Sequence, residues 1–224
     1  MTISISGYCP QTGQLGIAIS SSSIAVGQRC PWIYSGVGAV SSQNVTLPAL
    51  GPAVLEVLKQ GKSAEQALAT VMDQEPHRDF RQVTVIDASG NTAVWSGAKT
   101  LGTWHTSQGD CCVAAGNMLA TQQVTEVAIR HFMQHKGELG ERLLGALEAA
   151  IEAGGEAGPV HSAALSVYGD QSWPLTELRV DWADHDPTAV LRQLWQQWQP
   201  QQYDYLQRAL DPRLAPRYGV PGNE

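Results

Sequence analysis

The 224 residues fit a single domain, and 43% hydrophobic with only 16% charged residues is a globular composition short of charge. A net charge of -7, with Lys and Arg totalling 14 and no basic run, argues against a nucleic-acid partner and against an anionic membrane surface. The opening MTISISGYCP has no positive or apolar leader region and no run of 18 apolar residues occurs, so the expected setting is cytoplasmic, with neither secretion nor membrane insertion.

In chain order, Ile3, Ile5 and Gly7 alternate with Ser4, Ser6 and Tyr8, then Pro10-Gln11-Thr12-Gly13 signals a turn, and Leu15–Ser20 follows as a second strand. That second run is small and apolar on both faces, as in a sheet covered on both sides. Gly36–Ser41 reads as another strand of small residues. A helix is predicted from about Ala49 to Gln60, stopped by Gly61, and a second starts at the capping box Ser63-Ala64-Glu65-Gln66 and ends before Pro76.

Strands are predicted at Gln82–Asp87 and Thr92–Ser96 around the turn Ala88-Ser89-Gly90-Asn91, with further extended chain near Trp104 and at Cys111–Ala115. A helical pair covers about Gln122–His135 and Leu139–Ala153, and the loop Gly154-Gly155-Glu156-Ala157-Gly158-Pro159 closes it. Ser162–Tyr168 and Leu175–Val180 read as strands, and Pro187–Gln199 as a helix with proline in its first turn. The segment 200–224, with Pro200, Pro212, Pro216 and Pro221, reads as an extended tail packed on the 1–199 domain or on a neighbouring subunit.

Blocks of hairpin-linked strands separated by pairs of helices favour layers over alternating βαβ units. The predicted class is α+β, a four-layer α-β-β-α sandwich with antiparallel sheets. No G-x-G-x-x-G opens a helix after a strand, which argues against a dinucleotide-binding fold.

Thr2 is the candidate nucleophile. Only Met1 precedes it, and a small second residue permits removal of the methionine. A free α-amine titrates near about 7.7–8, so part of it is neutral at cellular pH and can take the proton from its own Oγ. Asn117 ends an apolar strand, where its amide could donate to an oxyanion. Gln43 and Asn44 end another strand and are candidates to line the same cleft. Arg81, in a chain with few cations, is a candidate clamp for a substrate carboxylate.

His131 and His135 stand at ligand spacing on a helix but lack a third partner, so no metal or cofactor is implied. Asp184-His185-Asp186 reads as the cap of the helix at Pro187. Cys9, Cys30, Cys111 and Cys112 read as reduced and mostly buried, with Cys9 the alternative nucleophile. Trp195 and Trp198 share a helix face, which suggests a homo-oligomer.

The segments TISISGYCPQTGQLGIAISSSSIAVG, CPWIYSGVGAVSSQNVTLPALG, FRQVTVIDASG, CCVAAGNMLA, HSAALSVY and RALDPRLAPRYGVPGNE resemble the N-terminal-nucleophile (Ntn) hydrolase-like family known as domain of unknown function number 1028. The resemblance runs over nearly the whole chain and implies the same α-β-β-α sandwich. A proteasome-like site would add a lysine and an aspartate beside the nucleophile. Here the matching second-strand positions hold Ser20, Ser21 and Ser22, and Lys59, Lys62, Lys99 and Lys136 fall in helical or turn contexts. The α-amine would then be the main base, with Ser20 and Ser21 tuning it and lining the substrate site. The expected activity is hydrolysis of an amide-like C–N bond in a small molecule. The alternative is a non-catalytic small-molecule-binding domain that keeps the cleft.

Overall fold

The computed structural model describes residues 1–219. In chain order the elements are β1 (Thr2–Tyr8), β2 (Leu15–Ser21), α1 (Val26–Arg29), β3 (Pro31–Tyr34), β4 (Gly38–Asn44), α2 (Leu50–Lys59), α3 (Ala64–Gln74), β5 (Arg81–Asp87), β6 (Thr92–Ser96), β7 (His105–Gly109) and β8 (Cys112–Asn117). They continue with α4 (Gln123–Gln134), α5 (Leu139–Glu152), β9 (Ser162–Tyr168), β10 (Thr176–Val180), α6 (Pro187–Trp198) and α7 (Gln202–Leu210).

The strands form a six-stranded sheet in the order β10-β9-β2-β1-β8-β7 and a four-stranded sheet in the order β3-β4-β5-β6. Every pairing is antiparallel. The opening hairpin is as read from the sequence, with Gly13 at φ 69° closing its turn. The strand itself lies in the middle of the larger sheet, between β2 and β8, and not at its edge.

Alternation along the strands assigns each face. Ile3, Ile5, Ala18, Cys112, Ala114 and Leu165 of the larger sheet pack against Phe132, Leu143, Leu144 and Leu147 of α4 and α5, and Leu191 and Trp195 of α6 extend the same cluster. Small strand residues let the helices approach. A Cβ built on Gly7 would sit 2.6 Å from the Phe132 ring. Val40, Val83, Val85 and Ala93 of the smaller sheet pack against Val54, Leu55, Leu68 and Met72 of α2 and α3. The remaining faces meet each other: Leu15, Ile17, Ile19 and Val113 of one sheet cluster with Ile33, Ala39 and Ile86 of the other.

Helix signals behave as their chemistry dictates. Ser63 and Gln66 form the reciprocal capping box of α3, and Gly61 follows α2 at φ 85°. Asp186 caps α6 by accepting from Ala189 N at 2.9 Å.

Three expectations change. Gly36, at φ 68°, is a turn residue, so β4 begins at Gly38 and a separate strand, β3, precedes it. Cys111, at φ 56°, also turns, so β8 begins at Cys112. The segment from Pro200 is not extended throughout, because 202–210 form α7 between the prolines; Pro221 lies outside the described residues. The Trp195–Trp198 face is used within the chain. Trp195 is buried against Gly140 and donates to Glu141 at 2.7 Å, while Trp198 donates to Thr176 at 3.0 Å and stacks on Tyr205. Among the described residues no helix is long and apolar enough to cross a membrane.

Candidate active site

Because Ile3 and Ile5 face the helices, Thr2, Ser4 and Ser6 face the smaller sheet. Thr2 pairs with Ser21 on one side and Asn117 on the other, so all three point the same way. Across the gap, the alternation that sends Val40, Val83 and Val85 toward α2 and α3 sends Ser41, Gln43, Gln82 and Thr84 toward Thr2's sheet. All of these are buried, which makes one end of the space between the sheets polar.

The polar atoms form two groups. In the first, Gln82 Oε1 accepts from Gln43 Nε2 at 2.9 Å and from Asn117 Nδ2 at 3.0 Å. Gln82 Nε2 donates to Ser96 Oγ and to Gly116 O, each at 3.1 Å, and Ser41 Oγ donates to Gln43 Oε1 at 3.2 Å. This network ties the two sheets together and fixes the Asn117 amide, which spends one of its two N–H bonds on Gln82. Ser4, Ser6 and Thr84 lie in the same layer with buried hydroxyls that find no protein partner.

The second group surrounds the start of the chain. Thr2 Oγ1 donates to the Met1 carbonyl at 2.7 Å, and Ser21 Oγ donates to the same oxygen at 2.6 Å. The two hydroxyls stand 3.2 Å apart, and Ser23 N donates to Ser21 Oγ at 3.1 Å. The Met1 ammonium donates to Ser22 Oγ at 3.1 Å.

The glycine-rich loop after α5 brings a carboxylate to this point. Gly154 and Gly155 take φ of 120° and 58°, which a side chain would resist, and the loop is pinned to the chain after β8 by Ala120 N to Gly155 O and Ala157 N to Met118 O. Glu156, only 7% exposed, accepts from Ser20 Oγ at 3.1 Å and from Ser22 N at 3.2 Å. Burial pushes its pKa up to about 7, while the N-terminal ammonium and the bonds from Ser20 and Ser22 pull it down. Met1 lies over the same loop, since a Cβ on Gly158 would come within 2.7 Å of Met1 Cε.

The structure thus gathers Thr2, Ser21 and Asn117 on one face at one end of the larger sheet, with Gln43 facing Asn117 through Gln82, whereas Ser20, paired with Ile3, points to the opposite face and bonds Glu156. Asn44, at φ 75°, turns away and bonds Phe80 O and Leu101 N. Arg81 is held by Glu75 at 3.1 Å and by the carbonyl of Val45 at 2.6 Å, so its fork is satisfied within the chain. Glu156 and Gln82 were not singled out from the sequence. Their signals were present all the same: a carboxylate among three glycines in a charge-poor chain, and a glutamine inside a Val/Ile strand.

Other nucleophiles are less favourably placed. All four cysteines are free, and burial pushes the Cys112 thiol up to about 12 and raises Cys30 and Cys111. Cys9 is buried at the far end of β1 and bonds Gln11. His131 and His135 stack with ring centroids 3.8 Å apart, and His135 Nδ1 donates to the carbonyl of His131. A cleft of about 300 Å³, with Trp173, Trp198, Gln202 and Tyr205 in its walls, lies by the β1–β2 turn, at the opposite end of the sheet from Thr2.

The chain belongs to a family of unknown function, DUF1028, whose model matches residues 2–191. It is similar to protein SPO2555 from Silicibacter pomeroyi, a crystal structure of the same family, at 31% identity and a TM-score of 0.82; the match covers 88% of this chain and 85% of that one. It also aligns with Anbu, an ancestral β-subunit from Yersinia bercovieri, at 11% identity and a TM-score of 0.40, covering 90% of this chain and 96% of that one. No curated protein matches the chain.

Proposed function

We propose that the chain is an N-terminal-nucleophile amidohydrolase, that its two sheets and the helices outside them form the α-β-β-α sandwich of that class, and that Thr2 attacks once Met1 has been removed. The observation that carries this reading is the carbonyl of Met1. It sits within hydrogen-bond distance of the Thr2 hydroxyl and is held at the same time by Ser21 Oγ. The site therefore already holds an acyl carbonyl beside its nucleophile, with a hydroxyl donor on the oxygen.

In the reaction, Thr2 Oγ bonds to the substrate carbonyl carbon, and its proton passes to the Thr2 α-amine. Ser21 Oγ, and the second N–H of Asn117 if the oxygen reaches it, stabilise the oxyanion. The α-ammonium returns the proton to the leaving nitrogen as the C–N bond breaks. Water then attacks the threonyl ester, giving a carboxylic acid and the free hydroxyl. Among the described residues no lysine is bonded to this group of atoms, which leaves the amine as the base nearest the hydroxyl.

The test is intact mass after untagged expression, followed by turnover of a panel of small amides. Loss of one methionine and hydrolysis that vanishes in Thr2→Ala support the reading. Complete retention of Met1 removes the base and overturns it; binding without turnover would then assign the same cleft to a non-catalytic binding domain.

A further inference from the structure

We infer that the acyl half of the substrate is an α-aminoacyl group, with a primary ammonium held by Glu156 and Ser22, and that Met1 sits in this subsite in the structure. The inference rests on the proposed Thr2 chemistry and names the substrate class of that site.

Met1 is itself an α-aminoacyl group, attached to the nitrogen of Thr2. An acyl-enzyme would carry its acyl group on Oγ of the same residue, so both attachments project the group into the same space. The contacts of Met1 therefore map the subsite. Its carbonyl takes bonds from Thr2 and Ser21, its ammonium donates to Ser22 Oγ, and its side chain runs over Gly158.

The remaining feature is Glu156. A buried carboxylate is unfavourable without a counter-charge. Ser20 and Ser22 are neutral, and the nearby cation that lowers the Glu156 pKa is the Met1 ammonium, which bonds Ser22 Oγ and forms no direct ion pair with the carboxylate. When Met1 departs that ammonium departs with it, and a substrate ammonium on Ser22 Oγ would bring a positive charge back beside the carboxylate. A cation there also disfavours a second one on the Thr2 amine, which keeps that amine neutral and able to accept the proton from Oγ. Arg81, the cation that would have favoured an acidic substrate, is bound to Glu75. Gly158 leaves room for the far end of an unbranched side chain the length of methionine, which a Cβ there would push aside.

The experiment uses the protein lacking Met1 and three matched probes: L-methionine p-nitroanilide, its N-acetyl form, and the analogue without the amine. The free amine should be preferred about tenfold to a hundredfold in kcat/KM, as for a hydrogen bond to a charged group. Glu156→Gln, which keeps one acceptor for Ser22 N and one group for Ser20, should raise KM for the free amine and shrink that preference. Gly158→Ala should raise KM for the methionyl probe and leave glycine p-nitroanilide unchanged. In parallel, calorimetry on Thr2→Ala compares L-methioninamide with N-acetyl-L-methioninamide. Preferential binding without turnover in the wild type upholds the subsite and overturns the hydrolase. Turnover with equal use of free and acetylated probes upholds the hydrolase and overturns the subsite. Absence of both binding and turnover also overturns the subsite. The wild-type probe comparison stands even if either variant fails to fold.

Discussion

The space between the two sheets has two ends made by the same strands, and they are chemically opposite. At one end Leu15, Ile17, Ile33, Ala39, Ile86 and Val113 interlock. At the other, β1, β2, β4, β5 and β8 contribute Thr2, Ser21, Gln43, Gln82 and Asn117, equally sealed from water. Apolar burial stabilises at roughly 25 cal/mol per Å², so the first end holds the sheets together. Hydrogen bonds between buried polar groups largely offset the loss of water, so the second end contributes little net stability. It holds hydroxyls and amides in fixed positions. The difference separates what the layer needs in order to fold from what it needs in order to react.

The largest expected effect breaks the polar end alone. Thr2→Ala should lower turnover at least about a thousandfold, because no other group is placed to form the ester. It should cost only about 1 kcal/mol of stability, since it removes one hydroxyl and leaves the pairing of β1 with β2 and β8 intact. Chemical denaturation and turnover on the same preparation check both halves, and a normal rate would transfer attention to Cys9.

The mirror experiment strikes the apolar end. Ile17→Ala should cost about 2–5 kcal/mol through lost burial and the cavity left behind, with kcat unchanged in the folded fraction. A loss of kcat at temperatures where the variant is folded would show that the two ends are coupled.

Gln82→Leu tests the network between them. It orphans donors on Gln43 and Asn117 and the carbonyl of Gly116, so a loss of roughly 2 kcal/mol is expected, together with a lower kcat as Asn117 is released. Unchanged denaturation would mean the amides repartner.

The pH dependence sharpens the role of Glu156. Its folded pKa is raised, to about 7 from the ordinary 4.5, so between those values the folded chain binds more protons than the unfolded one. Stability relative to Glu156→Gln should therefore be greatest below about 4.5, fall as pH rises through this window, and level off above about 7. The substrate effect has the opposite sign: on the acid side KM for an α-amino substrate should fall as pH rises and the carboxylate ionises, until the substrate amine itself loses its proton. The smallest effect lies outside the layer altogether. Ser63→Ala should cost about 1 kcal/mol through loss of the α3 cap, with no change in activity.

Local chemistry made most of the elements legible. Alternation in β1, the Ser63 capping box, Gly61 after α2 and the Asp186 cap each act within a few residues, so they survive in the sequence as patterns. The candidate Thr2 could be read from the sequence because the role proposed for it asks only that it stand second. Readings failed where a backbone angle decided: Gly36 and Cys111 turn, and nothing in their neighbours required it. The segment after Pro200 failed for a different reason. Four prolines suggested extension, but 202–210 contain none and form a helix whose buried Gln202 reaches Glu138 and Thr176.

What the sequence determined by itself is most of the strands and helices, the alternation along β1, and a polar residue at its head. Those properties follow from periodicity and caps, which are short-range. What only the tertiary structure decided is which polar groups meet. Glu156 reaches Ser20 and Ser22 across more than 130 residues, Gln82 bridges β4 and β8, and Arg81 is taken by Glu75. The physical reason is that a buried polar atom must find whatever partner the packed backbone brings within about 3 Å, and no local pattern encodes that partner.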